Sequence, residues 1–398
     1  MKQMQPLEGT TVIEFSTMIT ASLATMMMAE QGARVIKVES VSVGDPMRYV
    51  GTSKGGISAL FANCNRGKSS IGLDLKQRAG QEIAKSMVSA ADVLIQNYRP
   101  GVMEQLGLGS ESLRSENSGL IYTSISGFGT RGPLNNAPAY DPVVQAHAGF
   151  TAIQGTDGPE FMRSMICDKI TAYTACQAVT AALLVREKTN EGQHIDISML
   201  DSGLFFLFPD GFMNNTLLDD DVEVRQHIAD IMYNLTETRD GDIIISAATE
   251  QHIQGILRIA GRDDMLSDPR FATLDALIEN IEEFREITKD GFSSMTSDEA
   301  MQKLQENDVP CAECHNLEEV INQPQIDASD TVLVRDHPLM GRMRVVKSPS
   351  RFSGVQSEPR YHCPAHGENT ESLLKEWGYT EEQIAEFRQK KVIPWSVE

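Results

Sequence analysis

A chain of 398 residues is long enough for a large hydrophobic core and two domains. Its formal net charge of −21 excludes nucleic acid as the main partner, because phosphate binding needs a basic face, and it argues against docking on anionic lipid. A hydrophobic fraction of 41% and a charged fraction of 23% are those of an ordinary globular protein.

The opening MKQMQPLEGTTVIEF has no apolar core behind basic residues, so no signal peptide is expected. No run reaches transmembrane length; GLFFLF, from Gly203 to Phe208, is the greasiest and is too short. Six cysteines, scattered without a dense framework, fit a reducing, cytoplasmic compartment.

In chain order, TVIEF (Thr11 to Phe15) is a β-branched run that reads as a buried strand. ITASLATMMMAEQG follows as a helix closed by Gly32, and RVIKVE (Arg34 to Glu39) is a second strand. This β-α-β unit implies a parallel sheet with right-handed crossovers. SSIGLDLK (Ser69 to Lys76) is a strand entering the amphipathic helix QRAGQEIAKSMVSA. DVLIQN (Asp92 to Asn97) is another strand, and YRPGVMEQLGLG turns on Pro100 and Gly101. GLIYTSIS (Gly119 to Ser126) is a strand, Thr171 to Arg186 a buried helix stopped at Gly192, and HIDISML (His194 to Leu200) a further strand. Strands alternating with helices predict an open α/β sheet.

Past Asp210 the texture changes. DDDVEVRQ is acidic, GDIIISAA reads as a strand, and Gln251 to Gly261 and Ser297 to Glu306 read as helices. The expected division is a large α/β domain from 1–224, a small α+β domain from 225–325, and a C-terminal part, 326–398, returning to the large domain. TVLVRDHP and GRMRVVKSP are the returning strands, and EEQIAEFRQKK is a final helix.

Asp168 falls just before or at the first turn of the buried helix. A carboxylate there meets unpaired backbone N–H groups and the positive end of the helix dipole, which are expected to keep it ionised. An ionised carboxylate beside apolar walls is a candidate nucleophile. Asp is also a favoured N-cap, and capping alone is the competing role.

Other motifs carry less. Gly127 to Gly132 matches GxGxxG, but Pro133 and LNNAPAYDP follow, so a glycine loop is expected rather than a dinucleotide site. Cys311-Ala-Glu-Cys314-His315 matches the haem attachment pattern without an export signal, and the preceding NDVP points to a buried strand or turn. Cys167 has no hydrolase signature around it, and the histidines show no metal-ligand spacing, so no metal is expected. Arg66, Lys68 and Lys76 bracket one strand and Arg99 follows another. They form either an anion site or ordinary surface charge.

Several blocks in order carry a resemblance: VIEFSTMITASLATMMMAEQGARVIKVE with GDPMR; NRGKSSIGLDLK; ADVLIQNYRPGVMEQLGLG; LIYTSISGFGTRGP; AYDPVVQAHAG; AALLVREKTNEGQHIDISMLD; VPCA; and HGENTESLLKEWGYTEEQI. Over nearly its whole length the sequence resembles the class III CoA-transferases, the formyl-CoA transferase and carnitine CoA-transferase group. The resemblance implies a Rossmann-like large domain built from both chain ends, a smaller domain on long linkers, and two subunits interlocked as a homodimer. It places the catalytic Asp on Asp168 and a nearby acidic residue on Asp141, whose expected role is to orient Asp168, to bind substrate through water, or to cap structurally. It places CoA contacts on Ile19 and Thr20, on Leu73, Asp74, Leu75 and Lys76, and on Asn97, Tyr98 and Arg99. It implies acyl-CoA and a small carboxylic acid as substrates, with no permanently bound cofactor, and an aspartyl anhydride and aspartyl-CoA thioester as intermediates.

Two departures point away from formyl-CoA and oxalate as the substrate pair. Ser40 stands where formyl-CoA transferases carry a basic residue, and no Gly-rich loop lies between Gly203 and Gly261. The α-methylacyl-CoA racemases share the fold but carry a His before the Asp of the AYD block, where this chain has Tyr140. Racemisation, which normally needs two bases, is the alternative activity.

Overall fold

The computed structural model describes residues 4–155, 157–353 and 360–395. The chain divides into two compact units, Met1–Leu207 with Ser329–Glu398, and Phe208–Ala328. The limits lie at 207/208 and 328/329, against 224/225 and 325/326 in the sequence reading.

The first unit holds six strands: β1 (Thr11–Phe15), β2 (Arg34–Ser40), β3 (Lys68–Leu73), β4 (Val93–Gln96), β5 (Ile121–Ser126) and β6 (His194–Ser198). They form one parallel sheet in the order β3-β2-β1-β4-β5-β6. This is a doubly wound order. It reverses between β1 and β4, which opens a crevice at the C-terminal ends of those strands. Helix α1 (Thr20–Glu30) follows β1, and α2 (Asp141–Ala148) and α3 (Ile166–Thr189) lie between β5 and β6.

α1 stops where expected, with Gly32 at φ +104, a conformation cheap only for glycine. α3 is longer than Thr171 to Arg186, and it ends at Asn190 in the left-handed region (φ 58) rather than at Gly192. Gly192 has a different constraint: a Cβ there would clash with the carbonyl oxygen of Leu120.

Strand periodicity divides the two faces of the sheet. Ile13, Phe15, Ile36, Val38, Ile71 and Leu73 point into one apolar core with the helix Arg78–Ser89 and the C-terminal helices. The other face carries Glu14, Lys37 and Lys68, all buried, under α1. Glu14 lies directly opposite Lys37 in the register. Its Oε1 takes Lys37 Nζ at 2.7 Å and its Oε2 takes Lys68 Nζ at 2.8 Å. From α1, Thr25 Oγ1 donates to Oε2 at 2.6 Å and Ser22 Oγ to Oε1 at 3.1 Å. Lys37 also reaches Asp45 Oδ2 at 3.0 Å. Arg48 grips Glu39 through bonds of 2.6 and 2.8 Å, and Ser70 Oγ donates to the same carboxylate at 2.6 Å. Three carboxylates thus balance three cations out of water. Burial alone would raise the Glu14 carboxyl, but Lys37 and Lys68 hold it far below the ordinary range. Burial is likewise outweighed at Glu39, where Arg48 brings the carboxyl down to about 2. Lys68 goes the other way, pulled down to about 8 by burial and by Lys37 against the attraction of Glu14.

The C-terminal part closes the edge of the sheet. Asn369 Oδ1 accepts the N–H of Ser70 at 2.9 Å, Thr370 Oγ1 that of Gly72 at 3.1 Å, and Val392 O that of Asp74 at 2.8 Å. β3 is an end strand, so these bonds satisfy backbone groups that would otherwise be a template for aggregation. The two returning strands, Val332–His337 and Gly341–Val346, pair with each other and do not enter the central sheet.

The second unit has a three-stranded antiparallel sheet, Leu235–Glu237, Asp242–Ile245 and Cys311–Glu313, with Asp242–Ile245 in the middle. Its helices Glu250–Ile259, Ile281–Ser293 and Ser297–Glu306 enclose Ile243, Leu257, Phe284, Phe292 and Leu304. Cys311 thus begins a strand, as expected, but a half-buried one. Among the described residues, no helix is long and apolar enough to cross a membrane, and no cluster of His, Cys, Asp and Glu is arranged to hold a metal ion.

Removing one partner of the buried charge cluster leaves the others uncompensated. Lys37→Met is expected to destabilise the protein by roughly 3–5 kcal/mol, read from denaturant unfolding. A cost below about 1 kcal/mol would show that the cluster is not held as described.

Candidate active site

The site is assembled from the first turns of three helices. α3 begins at Ile166, and Met165 at its N-cap offers no side-chain bond. Asp168 is therefore the third residue of the helix and not its cap. Its own N–H is capped from elsewhere, by Asp141 Oδ2 at 3.0 Å. Asp141 is the first residue of α2 and is buried. Its Oδ1 accepts from Gln145 Nε2 at 2.5 Å, one turn further along α2. The same amide nitrogen reaches the carbonyls of Met162 (3.2 Å) and Ser164 (3.0 Å), in the segment that leads into α3. Asp141 and Gln145 so fix both the entry of α3 and the backbone of Asp168.

The Asp168 carboxylate meets α1. Its Oδ1 accepts a hydrogen bond from the hydroxyl of Thr20, the first residue of α1. Its Oδ2 takes no hydrogen bond from the described residues. The sequence reading expected the helix start to keep this carboxyl ionised, which needs no rise above its ordinary value. Instead burial raises it to about 6, helped by Asp141 and opposed by the Thr20 bond and by Lys169. At neutral pH the group is still mostly ionised, but it is a stronger base than a surface carboxylate. Cys167 is fully buried beside it, and burial pushes its thiol up to about 12, so it is an inert neighbour.

The segments that the resemblance assigns to CoA all lie at or just past C-terminal strand ends. Ile19 and Thr20 follow β1, and Asn97, Tyr98 and Arg99 follow β4, so the two groups flank the crevice. Leu73 ends β3 at the sheet edge, and Asp74 to Lys76 follow it. Their side chains differ in what they offer. Ile19 and Leu73 are in the core. Asn97 clamps Thr17, accepting its N–H at 3.0 Å and donating to its carbonyl at 2.7 Å. Asp74 closes its own turn, taking the N–H of Lys76 at 3.0 Å and Gln77 Nε2 at 3.0 Å. The Tyr98 phenol is pushed up to about 12 by burial. Leu75 packs on the core from its margin. Lys76 and Arg99 are exposed. Neither has an acidic partner among the described residues. Arg66 and Lys68, grouped with them by sequence, are structural: Arg66 pairs with Glu30 at 2.9 Å, and Lys68 is buried on Glu14.

The turn between β1 and α1 is strained. Met18 sits at φ 62, where side chains other than glycine are uncommon. Its N–H is held by Asp45 Oδ1 at 3.1 Å. Gly127 to Gly132 begins no helix, as expected of a loop. Sequence reasoning missed Gln145 altogether. The available signal was the spacing Asp141-x-x-x-Gln145, which puts both side chains on one face of a helix.

Comparison with known proteins decides the family. The family model described as CoA-transferase family III matches residues 7–370. The chain belongs to CoA-transferase family III.

This family III CoA-transferase is 30% identical to the formyl-CoA:oxalate CoA-transferase of Escherichia coli O157:H7, over 98% of this chain and 99% of that one. It is 28% identical to the human succinyl-CoA:glutarate CoA-transferase, over 94% and 87% of the two chains. A crystal structure of a CAIB/BAIF family protein from Brucella suis superposes with a TM-score of 0.82, at 28% identity, covering 94% of this chain and all of that one. The relatives act on different acids, so the family fixes CoA transfer and leaves the acyl groups open.

The raised carboxyl has a consequence for stability. A group whose folded value, about 6, exceeds its ordinary 3.8 is bound more tightly by protons in the folded state. Its ionisation therefore costs stability that is present below 3.8 and lost as pH rises through 6. Asp168→Asn is expected to raise the unfolding midpoint above that of wild type at pH 8, with the gap closing at pH 4. A gap that does not shrink on acidification would contradict the raised value.

Proposed function

We propose that the enzyme moves CoA from an acyl-CoA donor to a small carboxylic acid through covalent intermediates on Asp168. The observation that carries the reading is the Asp168 carboxylate, raised toward neutrality by burial, held at Oδ1 by Thr20 and free at Oδ2. Oδ2 attacks the thioester carbonyl, the C–S bond breaks, and a mixed anhydride and CoA thiolate result. The thiolate attacks the aspartyl carbonyl, expels the donor's carboxylate and leaves an Asp168–CoA thioester. The acceptor carboxylate attacks that thioester and frees the thiolate. The thiolate then takes the acyl group of the acceptor and restores Asp168. Each intermediate is about as activated as the thioester, so no step discards the energy of the bond. The N-terminus of α1 carries no side-chain cap, so backbone N–H groups there remain available for the oxyanion on the acyl group.

Asp141 acts in this reading by capping the Asp168 backbone. The large unit, built from both chain ends, is the CoA-binding domain, with the CoA phosphates beside Lys76 and Arg99. Exposed apolar side chains along α3 (Tyr173, Leu184, Val185) and on the helix Met199–Gly211 (Leu204, Phe205, Phe206) support a homodimer in which a second copy covers them. The free cysteines support a reducing, cytoplasmic setting.

Intact-mass spectrometry with peptide mapping, after mixing with a panel of acyl-CoA thioesters, is expected to find a CoA adduct on the Asp168 peptide that Asp168→Ala lacks. No adduct from any donor, with deuterium exchange at a substrate α-carbon, would replace transfer with racemisation. Arg99→Ala is expected to weaken CoA binding by about 10–100-fold, the loss of one charge-assisted bond, with little change in melting temperature. Unchanged affinity would displace the phosphates from Arg99. Sedimentation velocity is expected to give a dimer at micromolar concentration; a monomer there would leave the apolar faces of α3 without the proposed cover.

A further inference from the structure

Within that covalent mechanism, we propose that Thr20 is a catalytic residue whose hydroxyl serves as the oxyanion donor whenever the aspartyl carbonyl is the atom under attack. The inference rests on the Asp168 reading and adds a role which that reading does not require.

The role follows from the oxygen that Thr20 binds. In the resting enzyme the Thr20 hydroxyl donates to Asp168 Oδ1, and Oδ2 is left to act as nucleophile. Once Oδ2 has joined the acyl group, Oδ1 is the carbonyl oxygen of the aspartyl half of the anhydride. When CoA thiolate adds to that carbonyl, its π electrons move onto Oδ1, which becomes the alkoxide of the tetrahedral intermediate. Collapse returns the electrons to the carbonyl and expels the carboxylate that leaves through Oδ2. The same oxygen carries the charge again when the acceptor carboxylate adds to the Asp168–CoA thioester and thiolate departs. Two of the four displacements therefore build negative charge on the atom that Thr20 already touches. The other two build it on the acyl group, out of reach of this hydrogen bond.

A donor helps most when it is in place before charge develops. Thr20 meets this condition by its surroundings. It is 3% exposed and is the first residue of α1. The same helix is tied to Glu14 through Ser22 and Thr25. The turn before it is pinned at Thr17 by Asn97 and at Met18 by Asp45. The Asp168 backbone is fixed independently by Asp141. Donor and acceptor are so held by separate elements, and neither has to reorganise as the oxygen changes from carboxylate to carbonyl to alkoxide. Thr20 is not needed for folding in the same sense, because its hydroxyl makes no other hydrogen bond to the described residues.

The test is Thr20→Val, which keeps the shape and removes the donor, beside Thr20→Ser, which keeps the donor. Melting temperature and circular dichroism establish that both fold. At pH 8, Thr20→Val is expected to lower kcat for transfer by about 100-fold, as for loss of an oxyanion-hole donor, with the KM for acyl-CoA nearly unchanged. Thr20→Ser is expected to recover all but a few-fold of the rate. The stalled anhydride should also lose its acyl group to water, so release of free CoA thiol rises relative to transfer. The acid limb of kcat/KM should move to higher pH, since a bond to the carboxylate has been removed. A loss confined to KM would make Thr20 a CoA contact only, and an unchanged kcat or a failed rescue by serine would also overturn the proposal. The wild-type enzyme separates the two readings. If wild type itself forms no Asp168–CoA adduct, the covalent mechanism fails; if it does and Thr20→Val forms the adduct as fast, only the role of Thr20 fails.

Discussion

The Glu14 carboxylate is the point on which the large unit turns. It sits in the middle of a parallel sheet, where a charge is costly, and it is tolerated because two lysines from neighbouring strands and two hydroxyls from the covering helix saturate it. A hydrophobic contact at the same place would hold β1, β2, β3 and α1 together without fixing their relative shift. A carboxylate with two oxygens and several directed partners does fix it. The cluster extends through Asp45 to the strained Met18 turn, so the geometry of the sheet interior reaches the start of α1.

From there the site needs little more. Thr20, Asp141 and Asp168 all stand in the first turn of their own helices, and they come from three parts of the chain. Each first turn has N–H groups or a side chain to spare, and they are spent on one another: Asp141 on the Asp168 N–H, Thr20 on the Asp168 carboxylate. Asp168 is thereby oriented at its backbone and at one carboxyl oxygen, while burial is the largest influence on its carboxyl. Paired buried charges hold the scaffold, whereas the Asp168 carboxylate is left without such partners. Burial raises Asp168, whose carboxylate has no cation bonded to it, whereas two bonded lysines outweigh burial at Glu14.

Much of the sheet was legible in the sequence, because buried parallel strands are short β-branched runs separated by helix-length segments. VIEF, RVIKVE, LIQ and IYTSIS all fall inside strands. The polar face was not legible as such. Glu14, Lys37 and Lys68 look like surface charges one at a time, and only their shared parity on three adjacent strands marks them as partners. The two expected returning strands kept their identity but formed a hairpin of their own, since nothing in a short alternating run says which edge it will meet. At the site, the helix start made Asp168 visible, while the cap from Asp141 and the bond from Thr20 were not. Both span long stretches of sequence and depend on how three helices converge. The rise of the Asp168 carboxyl was not legible either, because burial has no sequence signature at a helix end.

Because Asn369, Thr370 and Val392 complete the edge of β3, the large unit is finished by residues made about 300 positions after that strand. At synthesis rates of roughly 5–20 residues per second, β3 emerges from the ribosome about 15–60 s before its edge can be covered. The second unit, formed from one continuous stretch, can complete its own core in that interval. The nascent chain thus passes through a state with a folded insert and an open parallel sheet. In that state the exposed rim of β3 is the place where a chaperone, or a mispaired strand from another chain, would first attach.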